Sequence, residues 1–314
     1  MARSVNSMLA ETNAVQAAHV PDRQHHWVDR LPLRLRAFAI LARLDRPIGT
    51  WLLLLPCWWG LALAADYPNP VHMLLFAIGA IVMRGAGCTI NDIVDREFDA
   101  KVERTKSRPI ASGLVTVPQA LLFVALQGVV GLIVLLQLPG FAIAIGFASL
   151  PLIVAYPFMK RITWWPQAFL GLAFNWGILV GYATATHTLS PASIILYVAG
   201  IFWTLGYDTI YAHQDKVDDA IVGVKSTARL FGKATSRWLW VFYAATMLLI
   251  AAAGALAAKG PLFWAVLILA GWSLVDQIRS LNMDDPDNCI AQFRKNRLSG
   301  LWVALALALG TIAF

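Results

Sequence analysis

Nine long apolar stretches constrain this chain more than any other feature. They run over roughly 48–65, 70–90, 117–137, 140–157, 166–185, 191–212, 236–258, 261–280 and 298–314. A run of about 18 or more such residues spans the hydrocarbon of a bilayer when helical. Only 14% of the residues are charged and 59% are hydrophobic, which a water-soluble domain rarely matches. The predicted fold is all-α, a polytopic membrane bundle of nine transmembrane helices with its N-terminus in the cytoplasm. Residues 1–35 form a flexible polar lead-in, and 36–314 form one membrane domain without an internal linker. Within it, "LPLRLRAFAILARLDRP" is basic and amphipathic and is expected along the membrane surface.

The connections alternate. "DYPNP", "LPG", "THTLSP" and "AKGP" are short and nearly uncharged, and short loops make successive helices antiparallel neighbours. The other side carries Asn91–Thr116, Lys160–Trp165, His213–Arg237 and Arg279–Arg297. Of 25 Lys and Arg, only Lys259 belongs to the first set. That asymmetry places the charged loops in the cytoplasm. The net charge of +7 then reflects orientation, anionic lipid and an anionic substrate rather than nucleic acid. Residues 1–35 lack a signal-peptide core, and their acidic residues argue against a mitochondrial transit peptide. The resulting expectation is a bacterial inner (cytoplasmic) membrane with the site on the cytoplasmic side. Cys57, Cys88 and Cys289 are scattered and read as ordinary buried or loop thiols.

Two acidic clusters stand out. In "NDIVDREFD", Asn91, Asp95 and Asp99 are four apart and share a helix face, while Asp92 and Glu97 are expected elsewhere. In "YDTIYAHQDKVDD", Asp208, Asp215 and Asp219 fall in one stripe, with Tyr211 and Asp218 beside it. Each follows an apolar helix, four helices separate them, and both open on the same face. Carboxylates this dense repel one another and are costly at membrane depth, so a positive partner is required. All-oxygen donors suit Mg²⁺, which combines a few carboxylates with phosphate oxygens and water. The cations nearby are Arg104, Lys106 and Arg108 after the first cluster, Lys216, Lys225 and Arg229 with the second, Lys160 and Arg161 between, and Arg46 at the first helix. Acid, metal and base together read as diphosphate activation. The alternative for the cations is topogenic charge on solvated loops, which needs no chemistry; aspartate contributes little to topology.

"NDIVDREFDAKVERTKSRP" resembles the first signature of UbiA-type membrane prenyltransferases. "DTIYAHQDKVDD" followed by "GVKSTARLFG" resembles their second aspartate motif, and "LDRPIGTWLLLLPCWWG" and "YPFMKRITWWPQ" resemble the branch acting on 4-hydroxybenzoate. The resemblance covers Leu44 to the C-terminus. It implies a nine-helix bundle, Mg²⁺ dependence, and transfer of a polyprenyl group from polyprenyl diphosphate to the ring of 4-hydroxybenzoate, ortho to the hydroxyl, in ubiquinone biosynthesis. On that reading Asn91, Asp95, Asp215 and Asp219 hold Mg²⁺ against the diphosphate, with Asp99 and Asp208 supporting. Arg104, Arg108, Lys160, Arg161 and Lys225 meet diphosphate or carboxylate, and Arg46 or Arg161 pairs with the benzoate. A spare aspartate removes the ring proton. The alternatives are a sibling enzyme with another aromatic acceptor and, from a different class, a divalent-cation transporter. Trp58, Trp59, Trp164, Trp165, Trp176 and Trp203 are candidates to flank the prenyl tail, against a plain packing or interfacial role. Asn175 is expected to face either the cavity or a neighbouring helix.

Overall fold

A computed structural model describes residues 27–64, 68–102, 105–216, 219–220 and 223–311. No strand occurs among them. In chain order the helices are α1 (Leu33–Leu41), α2 (Ile48–Ala64), α3 (Pro70–Val94), α4 (Arg96–Asp99), α5 (Val117–Leu136), α6 (Gly140–Ala148), α7 (Leu150–Ile162), α8 (Pro166–Thr186), α9 (Pro191–His213), α10 (Thr227–Phe231), α11 (Thr235–Leu256), α12 (Pro261–Arg279) and α13 (Pro286–Leu309). Five begin at proline, whose missing N–H costs nothing in a first turn. Ser190 and Asp285 supply side-chain caps to α9 and α13.

Among the described residues, seven segments are long and apolar enough to cross a membrane: Pro70–Val94, Val117–Leu136, Gly140–Ile162, Pro166–Thr186, Pro191–His213, Thr227–Leu256 and Pro261–Arg279. The expected count of nine differs at the ends. Helix α2 is apolar but has 17 residues. Helix α13 carries Arg294, Lys295 and Arg297 in its first half, so only its later part is uniformly apolar.

The described residues form two compact units. One comprises residues from Met1–Pro47 and Ile81–Gly131. Here α1 buries Ala37 and Leu41 against Ile93, Ile110, Val115 and Ala120, with Phe38 edge-on to Phe123 at 5.1 Å. Leu33, Arg34 and Leu35 on α1 are exposed together, so apolar and basic residues share its outer side rather than segregating.

The other unit comprises Ile48–Ala80 and Leu132–Phe314. Its tightest crossing is α2 on α8. A Cβ built on Gly60 would lie 2.1 Å from the Ile178 carbonyl oxygen, and one on Gly181 would lie 2.3 Å from that of Cys57. Small residues spaced four apart, Gly177 and Gly181, permit this backbone approach. Polar groups then tie α9, α11, α12 and α13 together. Trp203 Nε1 donates to Asn296 Oδ1 at 2.9 Å, Asn296 Nδ2 to Gln277 Oε1 at 2.8 Å, and Tyr243 donates to the same Gln277 oxygen at 3.1 Å. Gln277 Nε2 donates to Ser299 at 2.9 Å. Asn175 joins α8 to α9 through Thr204 at 2.7 Å, so it serves an interhelical bond.

Lys259, the exceptional cation of the uncharged side, is 9% exposed. Its Nζ donates to the Ala62 carbonyl at 2.8 Å, one of the last four carbonyls of α2. It closes a helix end rather than facing water. In contrast, α5 and the α6–α7 segment bury little: 11% and 6% of their most apolar windows lie inside the protein.

Candidate active site

The first acidic motif leaves α3 and continues through a turn at Asp95 into α4. Asp95 N–H donates to Asn91 O and Asp99 N–H to Asp95 O, both at 2.9 Å, so the four-residue spacing survives a local break. Asp95 and Asp99 are 5% and 7% exposed, and Asn91 is half-buried. Asp92 departs from expectation: it is 1% exposed. Asp92 and Asp99 are seven residues apart, two helical turns, and fall only about 20° apart around the axis. The loop folds back, with Thr105 Oγ1 donating to Asp99 O at 3.0 Å. That brings Arg108 to the pair: its Nη1 lies 2.8 Å from Asp99 Oδ2 and 3.2 Å from Asp92 Oδ1. Arg43 holds Asp92 Oδ1 from the other side at 2.7 Å. Arg46 pairs with its neighbour Asp45 at 3.1 Å. Arg104 lies outside the described residues, as does Asp218.

Burial pushes the Asp99 carboxyl above the usual carboxylate range; Arg108 opposes, while Asp92 and Asp95 add to the rise. Burial likewise opposes the charge on Arg43, but Asp92, with Cys88 and Asp45, holds it protonated more firmly than an ordinary guanidinium.

The second motif ends α9 at His213, and the chain tightens into a turn, with Gln214 N–H on Tyr211 O and Asp215 N–H on Ala212 O. Asp208 is on α9 proper, whereas Asp215 and Asp219 lie beyond it, bonded Asp219 N–H to Asp215 O at 2.8 Å. All three are half-buried. Tyr211 packs against Phe293, ring centroids 4.6 Å apart and tilted by 45°. Arg229 Nη1 donates to the carbonyls of Asp219 and Val224 and its guanidinium lies over the Trp164 ring, so it shapes this loop. Lys225 donates its N–H to Lys160 O and its Nζ to Ile162 O, each at 3.0 Å, at the C-terminal end of α7. That ammonium meets the negative end of a helix. Lys160 is half-buried and Arg161 exposed.

Among the described residues, no three His, Cys, Asp or Glu side chains converge as a ready-made cage. Mg²⁺ needs none, because it takes one or two carboxylates and completes its shell with phosphate oxygens and water. The first motif fits that pattern: its donors are hard oxygens, the carboxylates buried and mutually repelling, and Asp92 Oδ2 is buried without a hydrogen-bond partner among the described residues.

Arg84 escaped the sequence reading. It stands on α3 two turns before Asn91, on the same helical face, inside an apolar span. An ionised group in such a run was the signal. The tryptophans resolve toward packing. Trp59 donates to Gly300 O at 2.8 Å, Trp176 to Ile145 O at 2.8 Å and Trp58 to Met73 O at 3.3 Å. Trp203 bonds Asn296, and Trp165 packs in a ring cluster with Phe231, Trp238 and Phe242. The three cysteines are free and buried.

A helical chain with lipid-facing spans and two acidic motifs defines the class of integral-membrane prenyltransferases. Residues 53–312 match the UbiA prenyltransferase family, and the chain belongs to that family. It is 46% identical over 296 residues to a mitochondrial 4-hydroxybenzoate polyprenyltransferase of Drosophila melanogaster, covering 93% of this chain and 76% of the relative. To the mitochondrial 4-hydroxybenzoate polyprenyltransferase of Rattus norvegicus it is 47% identical, covering 91% and 77%. A UbiA homolog from Aeropyrum pernix shares the fold with a TM-score of 0.71 at 23% identity, over 84% of this chain and 99% of that one. A UbiA homolog from Archaeoglobus fulgidus bound to GPP and Mg²⁺ does so at 0.68 and 18% identity, over 88% and 100%.

One expectation is overturned. The bacterial inner membrane expected from the sequence does not stand, because these relatives are mitochondrial proteins of eukaryotes and point away from it. Charge asymmetry reports which side of a membrane a loop occupies, not which membrane it is.

Proposed function

We propose that this chain transfers a polyprenyl group from polyprenyl diphosphate to the ring of 4-hydroxybenzoate, ortho to the hydroxyl, in ubiquinone biosynthesis. The observation that carries this reading is identity near 46% with 4-hydroxybenzoate polyprenyltransferases across nine-tenths of the chain. Asn91, Asp95, Asp215 and Asp219 hold Mg²⁺, with Asp99 and Asp208 supporting. When bound, Mg²⁺ offsets the negative charge that builds on the departing diphosphate. Arg104, Arg108, Lys160, Arg161, Tyr211 and Lys225 bind and orient the substrate's anionic groups, with Arg bidentate and Lys a point charge. A lone arginine, Arg46 or Arg161, pairs with the benzoate carboxylate; the position of Arg84 makes it a third candidate.

Apolar walls exclude water from the allylic cation once the diphosphate leaves. The ring carbon ortho to the phenol oxygen, the electron-rich position, attacks it, and a carboxylate not engaged with metal takes the ring proton. The Archaeoglobus homolog with GPP and Mg²⁺ supports divalent-metal use by this fold. Residues 36–314 form the catalytic domain with nine spans, counting α2 and the later part of α13. The charged loops and N-terminus share one side.

The test is a membrane assay with labelled 4-hydroxybenzoate and a polyprenyl diphosphate, with and without Mg²⁺. Metal-dependent labelled product is expected. Absence of product, with transfer to a naphthoate or homogentisate instead, would replace the acceptor with that of a sibling enzyme.

A further inference from the structure

We propose that Arg43 and Asp92 are positioning residues: a fixed buried ion pair that offers Arg108 a second carboxylate, so that Arg108 can release Asp99 to an arriving divalent cation. This rests on the reading of the first motif as a Mg²⁺ site.

Arg43 follows α1 in the left-handed region, φ 56°, an uncommon state for a residue with a side chain. Its N–H donates to Ile40 O and the next N–H, that of Leu44, to Ala39 O, each at 3.0 Å, which ends the helix. The guanidinium is anchored twice, Nη1 to Ile40 O at 3.2 Å and Nη2 to Asp92 Oδ1 at 2.7 Å. Arg43 and Asp92 side chains are 10% and 1% exposed, so neither has water to turn to. A non-glycine residue persists in such a conformation when surrounding contacts over-determine it.

Arg108 is different. It is 27% exposed, and its Nη1, which carries two hydrogens, already reaches both carboxylates, Asp99 at 2.8 Å and Asp92 at 3.2 Å. Asp92 also keeps a second buried oxygen, Oδ2, without a hydrogen-bond partner among the described residues. Arg108 can therefore stay paired with Asp92 when a metal claims Asp99, with its remaining N–H groups left for the diphosphate. Arg43 fixes Asp92 in place through the 2.7 Å contact of its Nη2 with Oδ1. Partners that orient ligands in this way alter metal affinity about 10–100-fold when removed.

The test compares full-length wild type, Arg43→Gln/Asp92→Asn and Arg43→Lys in liposomes. The paired neutral variant leaves no lone buried ion behind. It is expected to need about tenfold more Mg²⁺ for half-maximal transfer, with kcat at saturating Mg²⁺ within about threefold of wild type. The Mg²⁺ concentration giving half of the thermal stabilisation seen with inorganic pyrophosphate should move by the same factor, a readout independent of turnover. Arg43→Lys keeps the charge but not the double anchor, and should fall between the two. An unchanged Mg²⁺ requirement in the paired variant overturns the proposal; if that variant does not fold, an unchanged requirement in Arg43→Lys does so. A wild type indifferent to divalent metal would instead overturn the metal reading of the motif.

Discussion

Replacing Lys259 with methionine isolates one buried charge. The stem is conserved in length, so its packing on Gly310 is retained, and what disappears is the ammonium on the Ala62 carbonyl at 2.8 Å. A charge-assisted hydrogen bond contributes roughly 1.5–3 kcal/mol. A cation at a helix C-terminus adds roughly 0.3–1 kcal/mol. Against these stands the cost of keeping an ammonium at 9% exposure, which methionine avoids. The balance is a loss of about 2 kcal/mol, or about 4 °C in Tm at the lower end of the scale for large domains. The control is Lys295→Met, which breaks the 2.7 Å pair with Asp276. Those side chains are 39% and 48% exposed, and such a pair contributes less than about 1 kcal/mol. Both are measured by thermal unfolding in detergent, with amide exchange following the last turn of α2. If Lys259→Met proved no more damaging than Lys295→Met, or left exchange at residues 62–64 unchanged, the helix-closing role would be wrong.

Gly181→Val should prevent accumulation of folded protein, because its Cβ would sit 2.3 Å from the Cys57 carbonyl oxygen and its added methyls would widen the overlap; Gly140→Val, in open space, serves as the comparison in an expression and gel-filtration assay. Asp95→Ala and Asp215→Ala should each lower kcat by at least about 100-fold while circular dichroism stays helical; near-normal turnover in either would remove that residue from the metal site. Arg84→Met should raise KM for 4-hydroxybenzoate by about tenfold or more and Arg84→Lys by less, with KM for the polyprenyl diphosphate unmoved. An unchanged benzoate KM would return the carboxylate to Arg46 or Arg161.

The helical architecture was legible because local chemistry states it. Hydropathy runs marked the spans, and four of them begin at the prolines that open the helices, at positions 70, 166, 191 and 261; the start of α13 at Pro286 was not legible, because charged residues fill its first half. The ends at the acidic motifs were less legible: the turn at Asp95, and the stripe of Asp208, Asp215 and Asp219 running past the last residue of α9, depend on how each segment folds back, not on composition. Within the candidate site, spacing four apart identified Asn91, Asp95 and Asp99, but the same helical arithmetic carried to seven would have added Asp92. Arg43 was beyond reach, since its partner is 49 residues away and its approach depends on a left-handed turn. Lys225 and Arg229 also donate to backbone carbonyls, a use that no sequence pattern separates from phosphate binding. The tryptophans posed the same difficulty, since an indole that seals a helix crossing and one that lines a tail groove have identical neighbours in sequence.

The slight burial of α5 and of the α6–α7 segment has a consequence for handling the molecule. Leu121, Leu122, Leu126 and Val129 on α5, and Val154 and Ile162 on α7, are each more than half exposed, so acyl chains supply most of their neighbours. For these two spans the lipid is a structural component in its own right, and the choice of solubilising agent amounts to a choice of packing partner. Delipidation should loosen these helices before it disturbs α2, α8 and α9, whose glycine and tryptophan contacts are internal to the chain.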